Sequence, residues 1–261
     1  MPSKEHEWER VPIDAQSVDA PLSRAAIFLV VSVGEGPAGL AAVRAVLGGL
    51  DDLIKTVAFR DLNAHLSCIT GIGKGLWERL DLKACPHELK PFTPIKGVRH
   101  EAPATGGDLL FHIRSERFDF CFEFERILLD KLGSNIVVLD EVSGFRYFDA
   151  RDLLGFVDGT ANPNGMDLAA SALVGEEDPV FRGGSYVVVQ KYLHDLGAWE
   201  RTPTPLQEAI IGRRKIDNLE IDDDNPSQKS HKTLATIVDA AGNEHDILRD
   251  NMPFGRAGQG E

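Results

Sequence analysis

Three cysteines in 261 residues, Cys68, Cys85 and Cys121, are too few and too widely spaced for a disulfide framework. Their odd number points to reduced thiols and so to the cytoplasm. No apolar run reaches the roughly 18–20 residues that a membrane span needs, and the best candidate, Ala25–Val33, has the length of a strand. The first twenty residues carry charges and no apolar core, unlike a secretory signal peptide. Basic residues are outnumbered, 28 Lys and Arg against 41 Asp and Glu, for a net charge of −13. That balance argues against nucleic acid, whose phosphates call for clustered Lys and Arg, and against an anionic membrane surface. None of the eight histidines stands in an H-E-x-x-H arrangement, and no C-x-x-C pair is present, so a zinc site has no sequence support.

What remains is an ordinary globular composition, 43% apolar and 26% charged, in a chain long enough for one large or two modest domains. After a polar arm over residues 1–24, Ala25–Val33 reads as a buried strand and Leu40–Leu50 as a helix. Asn63–Ile69 alternates like a second strand, and Lys74–Leu80 has the look of a short helix. The Pro-containing stretch Cys85–Pro103 is loop-like. Asp108–Arg114 reads as a strand, Phe118–Leu132 as an amphipathic helix and Asn135–Phe148 as a long strand or bent hairpin arm. The order β-α-β-β-α-β over residues 25–150 is that of a ferredoxin-like unit. Residues 151–184, rich in Gly, Asp, Asn and Pro, form a long connection of the functional kind. Over 185–261 the pattern starts again, with a strand at Ser185–Tyr192, a helix at Leu206–Lys215, an acidic loop at Ile216–Gln228 and a strand at Ile247–Pro253. The expected architecture is α+β, two ferredoxin-like units of the dimeric α+β barrel type, the second incomplete.

Gly34, Gly36 and Gly39 spell G-x-G-x-x-G between a strand and a helix, the context of a dinucleotide fingerprint. A dinucleotide-binding enzyme is therefore one alternative. Against it, Glu35 would face the pyrophosphate, Asp51 and Asp52 come too early to hold a ribose, and no series of parallel β-α-β units follows. A glycine-rich turn with Pro37 opening the helix accounts for the same residues. Cys85-Pro86-His87 resembles a short haem-regulatory motif but is two residues of signal in a loop. Trp199, Tyr186 and Tyr192 could carry electrons to the surface, and equally could be packing residues.

The chemistry is concentrated in Gly155-Phe156-Val157-Asp158-Gly159-Thr160-Ala161-Asn162-Pro163. Its glycines allow close backbone approach to a flat ligand and aim one carboxylate, although Asp-Gly and Asn-Pro are also turn chemistry. The stretch resembles the G-x-x-D-G signature of the dye-decolourising peroxidases, within them the B-type branch. Further matches follow in the family's order: Ile210-Ile211-Gly212-Arg213-Arg214-Lys215, then Ser230-His231, then Ile247 through Gly255, which contains Arg249-Asp250-Asn251. His231 follows Asp158 by 73 residues, and Arg249 follows His231 by 18.

The resemblance implies a peroxidase carrying haem b, with His231 as the proximal iron ligand and Asp158 and Arg249 on the opposite, distal face. Asp158 would move the peroxide proton and Arg249 stabilise charge as the O–O bond breaks. Asn251 matches a polar residue of the same pocket, Arg213 a partner of a haem propionate, and Gly159 and Thr160 lie in the loop over the haem. An aspartate of ordinary pKa near ~3.9 keeps its base form into mildly acidic solution. Hydrogen peroxide and a small aromatic reductant, phenolic or dye-like, would be the substrates, in two one-electron steps. The resemblance also implies a homo-oligomer and, in some B-type relatives, packaging inside an encapsulin shell. Relatives continue beyond the segment matching Met252–Glu261 with a strand, a helix and a final strand, so the match is to a form truncated at the C-terminus. A second alternative is accordingly a haem-binding family member or fragment without turnover.

Overall fold

The computed structural model describes residues 16–223 and 228–257. Most of the polar arm (1–15), part of the acidic loop (224–227) and the last residues (258–261) lie outside the described residues. The elements in order are β1 (Ala25–Val33), α1 (Pro37–Gly48), α2 (Leu50–Ala58), β2 (Ser67–Ile72), α3 (Lys74–Arg79), β3 (Ile95–Lys96), β4 (Glu101–Ala102), β5 (Leu109–Ser115), α4 (Phe118–Leu132) and β6 (Ile136–Phe145). Then follow α5 (Met166–Ala172), α6 (Leu196–Arg201), α7 (Thr204–Ile211), α8 (His231–Ala235), β7 (Ile237–Val238) and β8 (Glu244–His245).

The first half is built on a four-stranded antiparallel sheet in the order β2-β5-β1-β6, the order of a ferredoxin-like unit, with β3 and β4 paired as a separate short ribbon. Its helices cover one face. On α4 the buried side chains Phe120, Cys121, Phe124, Leu128 and Leu132 recur at helical spacing, so one stripe faces the sheet. They meet Ile27, Leu29 and Val31 of β1 and Phe111 and Ile113 of β5 in a single core. The second helix, α2, was not foreseen. Leu50, Leu53, Ile54 and Val57 fall on one face and are buried, and Gly49 separates it from α1. Cys68 and Cys121 are buried and Cys85 is half-buried, all three unbridged. Among the described residues no helix is long and apolar enough to cross a membrane.

The dinucleotide alternative fails on topology, because both neighbours of β1 run antiparallel to it. The glycines are accounted for locally. Gly36 sits at φ +96° ahead of α1, and a Cβ on Gly39 would lie 2.6 Å from the Gly34 carbonyl oxygen. Arg79 already occupies the loop, donating to the Val33 and Gly34 carbonyls at 3.1 and 2.7 Å.

The second half differs from its expected strands. Ser185–Tyr192 is extended but carries no ladder, and Val187, Val188 and Val189 are exposed. An apolar segment becomes a stable strand only where neighbours offer backbone partners and a face to cover it, and no described segment does so here. Ile247–Pro253 is likewise unassigned. Among the described residues its one backbone hydrogen bond to the sheet runs from the Phe145 amide to the Pro253 carbonyl at 2.9 Å. The only sheet pairing between named strands in this half, among the described residues, is the short ribbon of β7 and β8. The second ferredoxin-like unit is therefore incomplete, and helices α5 to α8 make up most of its regular structure.

Candidate active site

The G-x-x-D-G stretch forms a tight reverse turn. Residues 151 and 157 bridge, and the Asp152 side chain accepts from the Phe156 amide at 3.0 Å. Gly155 sits at φ +88°, where a Cβ would lie 2.6 Å from Lys215 Cε, so no other residue fits without strain. Phe156 is buried edge-to-face on Trp199, whose indole donates to the Leu154 carbonyl at 2.9 Å. That contact gives Trp199 a packing role. Arg151 clamps the turn from the other side through the Gly155 and Lys215 carbonyls, at 2.9 and 2.7 Å. Burial raises the Asp152 carboxyl above its ordinary range, opposed by its backbone hydrogen bonds and helped by the charge of Asp158.

Asp158 is presented at the end of this turn. Its Oδ1 accepts from its neighbour Gly159 N–H at 2.7 Å and from Asn251 Nδ2 at 3.0 Å. Among the described residues Oδ2 has no protein partner. Asn162, which sequence reasoning treated only as turn chemistry, forms a two-way tie with Arg249. Its Nδ2 donates to the Arg249 carbonyl at 2.8 Å, and its Oδ1 accepts from the Arg249 amide at 3.0 Å. The Arg249 guanidinium itself makes no ion pair or hydrogen bond among the described residues. A carboxylate oxygen and a guanidinium thus share one hydrogen-bonded frame without neutralising each other.

Thr160 extends the frame toward the second half. Its Oγ1 accepts from Asn218 Nδ2 at 2.8 Å, and Arg213 donates to the Asn218 carbonyl at 3.1 Å. Arg213 also pairs with Glu220 at 2.6 Å, and Glu220 reaches Lys232 at 3.4 Å, next to His231. His231 opens α8 behind the cap Ser230, which is packed against Gly212 at the end of α7. No residue of the frame reaches the His231 ring, which is exposed and has no hydrogen bond among the described residues.

These residues suit a haem. An exposed imidazole with both ring nitrogens uncommitted is a donor that could hold a haem iron. Arg213 already holds a carboxylate, that of Glu220, through one Nη2–Oε1 bond at 2.6 Å, and a propionate carries the same group. Exposed apolar side chains of this half, Leu234 one turn from His231 together with Ile237, Val238 and Tyr186 to Val189, offer the kind of surface a porphyrin covers. The Cys85 motif makes no such site: Cys85 Sγ accepts from Lys74 Nζ at 3.2 Å, and the His87 backbone is tied to Asp178 at 2.9 Å. Among the described residues no cluster of His, Cys, Asp and Glu could hold a metal ion by itself.

Residues 15–146 match a family model described as Dyp-type peroxidase, N-terminal, and residues 149–261 match one described as Dyp-type peroxidase, C-terminal. A dye-decolorizing peroxidase of Rhodococcus erythropolis is 47% identical over 96% of this chain and 73% of its own length. Among solved structures, a DypB variant of Rhodococcus jostii RHA1 in complex with heme is 54% identical, with a TM-score of 0.90 over 94% of this chain and 79% of that one. The encapsulated DyP-type peroxidase of Mycobacterium smegmatis is 49% identical, with a TM-score of 0.89 over the same shares.

Proposed function

The chain belongs to the Dyp-type peroxidase family, a haem peroxidase by that membership, and we propose that His231 holds its iron while Asp158, Arg249 and Asn251 act on the peroxide side. The observation that carries the assignment is the shared frame of Asp158, Asn162, Arg249 and Asn251, in which one carboxylate oxygen and one guanidinium stay uncommitted among the described residues. It is supported by variants of the R. jostii protein solved with heme, whose substituted aspartate, arginine and asparagine have the sequence separations of Asp158, Arg249 and Asn251.

The haem, when bound, supplies the iron at which peroxide is cleaved and two oxidising equivalents are stored. The chain supplies the rest. Asp158 Oδ2 would take a proton from one peroxide oxygen and return it to the other, which leaves as water. Asn251 fixes the other oxygen of Asp158, so the carboxylate presents one lone-pair face to the substrate. Arg249 stays protonated throughout, and its N–H donors stabilise charge on the separating oxygens. Gly159 and Thr160 would contribute backbone to the haem site, and Arg213, now paired with Glu220, would hold a propionate.

Hydrogen peroxide and a reductant are the substrates, and we assign the reductant to small phenols or dye-like aromatics. The functional division is 1–24 arm, 25–150 first unit, 151–184 distal loop and 185–261 haem-binding unit. A cytoplasmic location is supported by three unbridged cysteines, and a homo-oligomer by the exposed Val137, Val138 and Leu139 on β6. Encapsulation is a property of the M. smegmatis relative. The deciding experiment is an absorption titration of the purified chain with hemin beside His231→Ala. A Soret band saturating at one equivalent and lost in the variant is expected. Equal uptake by both proteins would remove His231 as the ligand.

A further inference from the structure

Alternate side chains of β5 point to opposite faces of the sheet. Phe111 and Ile113 enter the core beneath the helices, whereas His112 and Arg114 are buried on the other face, 6% and 2% exposed. A guanidinium does not reach such depth through packing, because losing its water is costly unless specific partners replace it. Here Arg114 Nη1 donates to Asp250 Oδ2 at 3.1 Å, with further bonds to the Ala20 carbonyl at 3.4 Å and to the Ser17 carbonyl. His112 stacks on Phe28 of β1 at 4.3 Å, and its Nε2 lies 3.8 Å from the same Asp250 oxygen. Burial and the Arg114 charge push the His112 imidazole down to about 3, so the ring is neutral in ordinary solution. Asp250 is therefore gripped from the sheet side, while Arg249 and Asn251 on either side of it are tied to the G-x-x-D-G loop.

We propose that Asp250, clamped by Arg114, is a positioning residue that sets where the Arg249 guanidinium and the Asn251 amide stand in the peroxide site. The inference rests on the reading of those two residues given above. The clamp is poorly designed for stability alone. Among the described residues, His112 Nε2, Arg114 Nε and Asp250 Oδ1 are buried without hydrogen-bond partners. Apolar side chains would fill the same space without those losses, and buried ion pairs are often no more stabilising than such replacements. A guanidinium–carboxylate pair does, however, restrict its carboxylate to a narrow range of angles. Asn162 and Asp158 restrain residues 249–251 from one side, and Arg114 restrains them from the other. Without the second restraint the segment stays tethered but can turn.

Amide hydrogen exchange of the haem-free chain, read by peptide mass, tests this without requiring turnover. Asp250→Asn is expected to speed exchange in a peptide spanning 247–252 at least tenfold, with peptides of β1 and α4 unchanged. In haem-loaded protein the same variant is expected to lose about tenfold in the second-order rate with peroxide at unchanged Soret band and haem stoichiometry. Should it fail to fold, Arg114→Lys, which keeps the cation but not the fork, carries the same readouts. Unchanged exchange at 247–252, or exchange rising equally across β1 and α4, would overturn the positioning role. A chain taking up no haem would sink the peroxidase reading of the site, while the exchange result would still decide whether Asp250 fixes the segment.

Discussion

Replacing Asn162 by Ala removes both hydrogen bonds that tie the distal loop to Arg249, at 2.8 and 3.0 Å, and touches no group proposed to meet peroxide. A net hydrogen bond contributes about 0.5–1.5 kcal/mol. Asn162 and Arg249 are both half-buried, so water reaches part of the vacated space and the lower half of that range applies. The two bonds together are then worth about 1–2 kcal/mol. With about 1.4 kcal/mol per factor of ten, the well-placed population of Arg249 falls by roughly five- to thirtyfold if the tie alone holds it. Because Asp250 grips the same segment, the fall belongs near the lower end. Stopped-flow measurement of the peroxide reaction is expected to show about a fivefold loss in second-order rate at full haem occupancy. The melting temperature should drop by only about 2–8 °C, from about 2–4 °C per kcal/mol for a chain of this size. Asn162→Asp keeps the acceptor for the Arg249 amide and loses the donor, so it should fall between Ala and the parent chain. A rate within error of the parent for Asn162→Ala would show that the tie does not place Arg249.

Asp158→Asn keeps the shape and the contact to Asn251 but cannot accept the peroxide proton; a loss of at least about 100-fold in the peroxide reaction is expected from the usual size of general acid–base catalysis. Unchanged rate and pH profile would take Asp158 out of the mechanism. Glu125 on α4 is 5% exposed with one oxygen unpartnered, and burial, with the charge of Glu141, pushes it up to about 7. Its folded value lies above the unfolded value near ~4.3, so the stability it contributes is full below about 4.3 and lost as pH rises through about 7. Glu125→Gln should therefore melt higher than the parent at pH 8 and alike at pH 4, which thermal melts at the two pH values check; a lower melt at pH 8 would contradict the argument.

The first unit was legible because burial on one face imposes a period. β1, β5 and α4 carry that period, whereas β6 is largely exposed and does not, though its place in the chain order still fits the sheet. α2 was lost behind Gly48 and Gly49, though Leu53, Ile54 and Val57 bear its signal. Ser185–Tyr192 shows the opposite failure. Its Val run has strand composition, but pairing depends on a neighbour that the segment does not encode. Within the site, Asp158, Arg249 and Asn251 were named from motif resemblance and do share a frame. Asn162 passed for a turn residue, and His112 and Arg114 were read only as part of a strand. Polar residues at every second position of β5 look the same whether water or Asp250 lies opposite. His231 rests on the resemblance, since a five-residue helix behind a serine cap gives no periodic signal.

Residues 158 and 251 meet because both of their segments are pinned at one end of β6. Leaving the strand, Arg146 donates its amide to the Arg24 carbonyl, and the Asp158 amide reaches back to the Ala150 carbonyl, each at 2.9 Å. The later segment returns to the same place: the Phe145 amide binds the Pro253 carbonyl, and a Cβ on Gly144 would lie 2.7 Å from Met252 Cβ. A side chain at 144 would therefore push the returning segment away from the strand. Asp250 adds its hold on β5 from the same sheet. The groups proposed to handle peroxide are thus carried by the first unit, although they lie beyond it in sequence. His231 is held at further remove, through Ser230 on Gly212 and the chain Arg213–Glu220–Lys232, which meets the distal loop through Asn218 and Thr160. Disturbing the end of β6 should accordingly impair the peroxide side while leaving haem uptake through His231 intact, a separation of binding from turnover that a site built on one segment could not show.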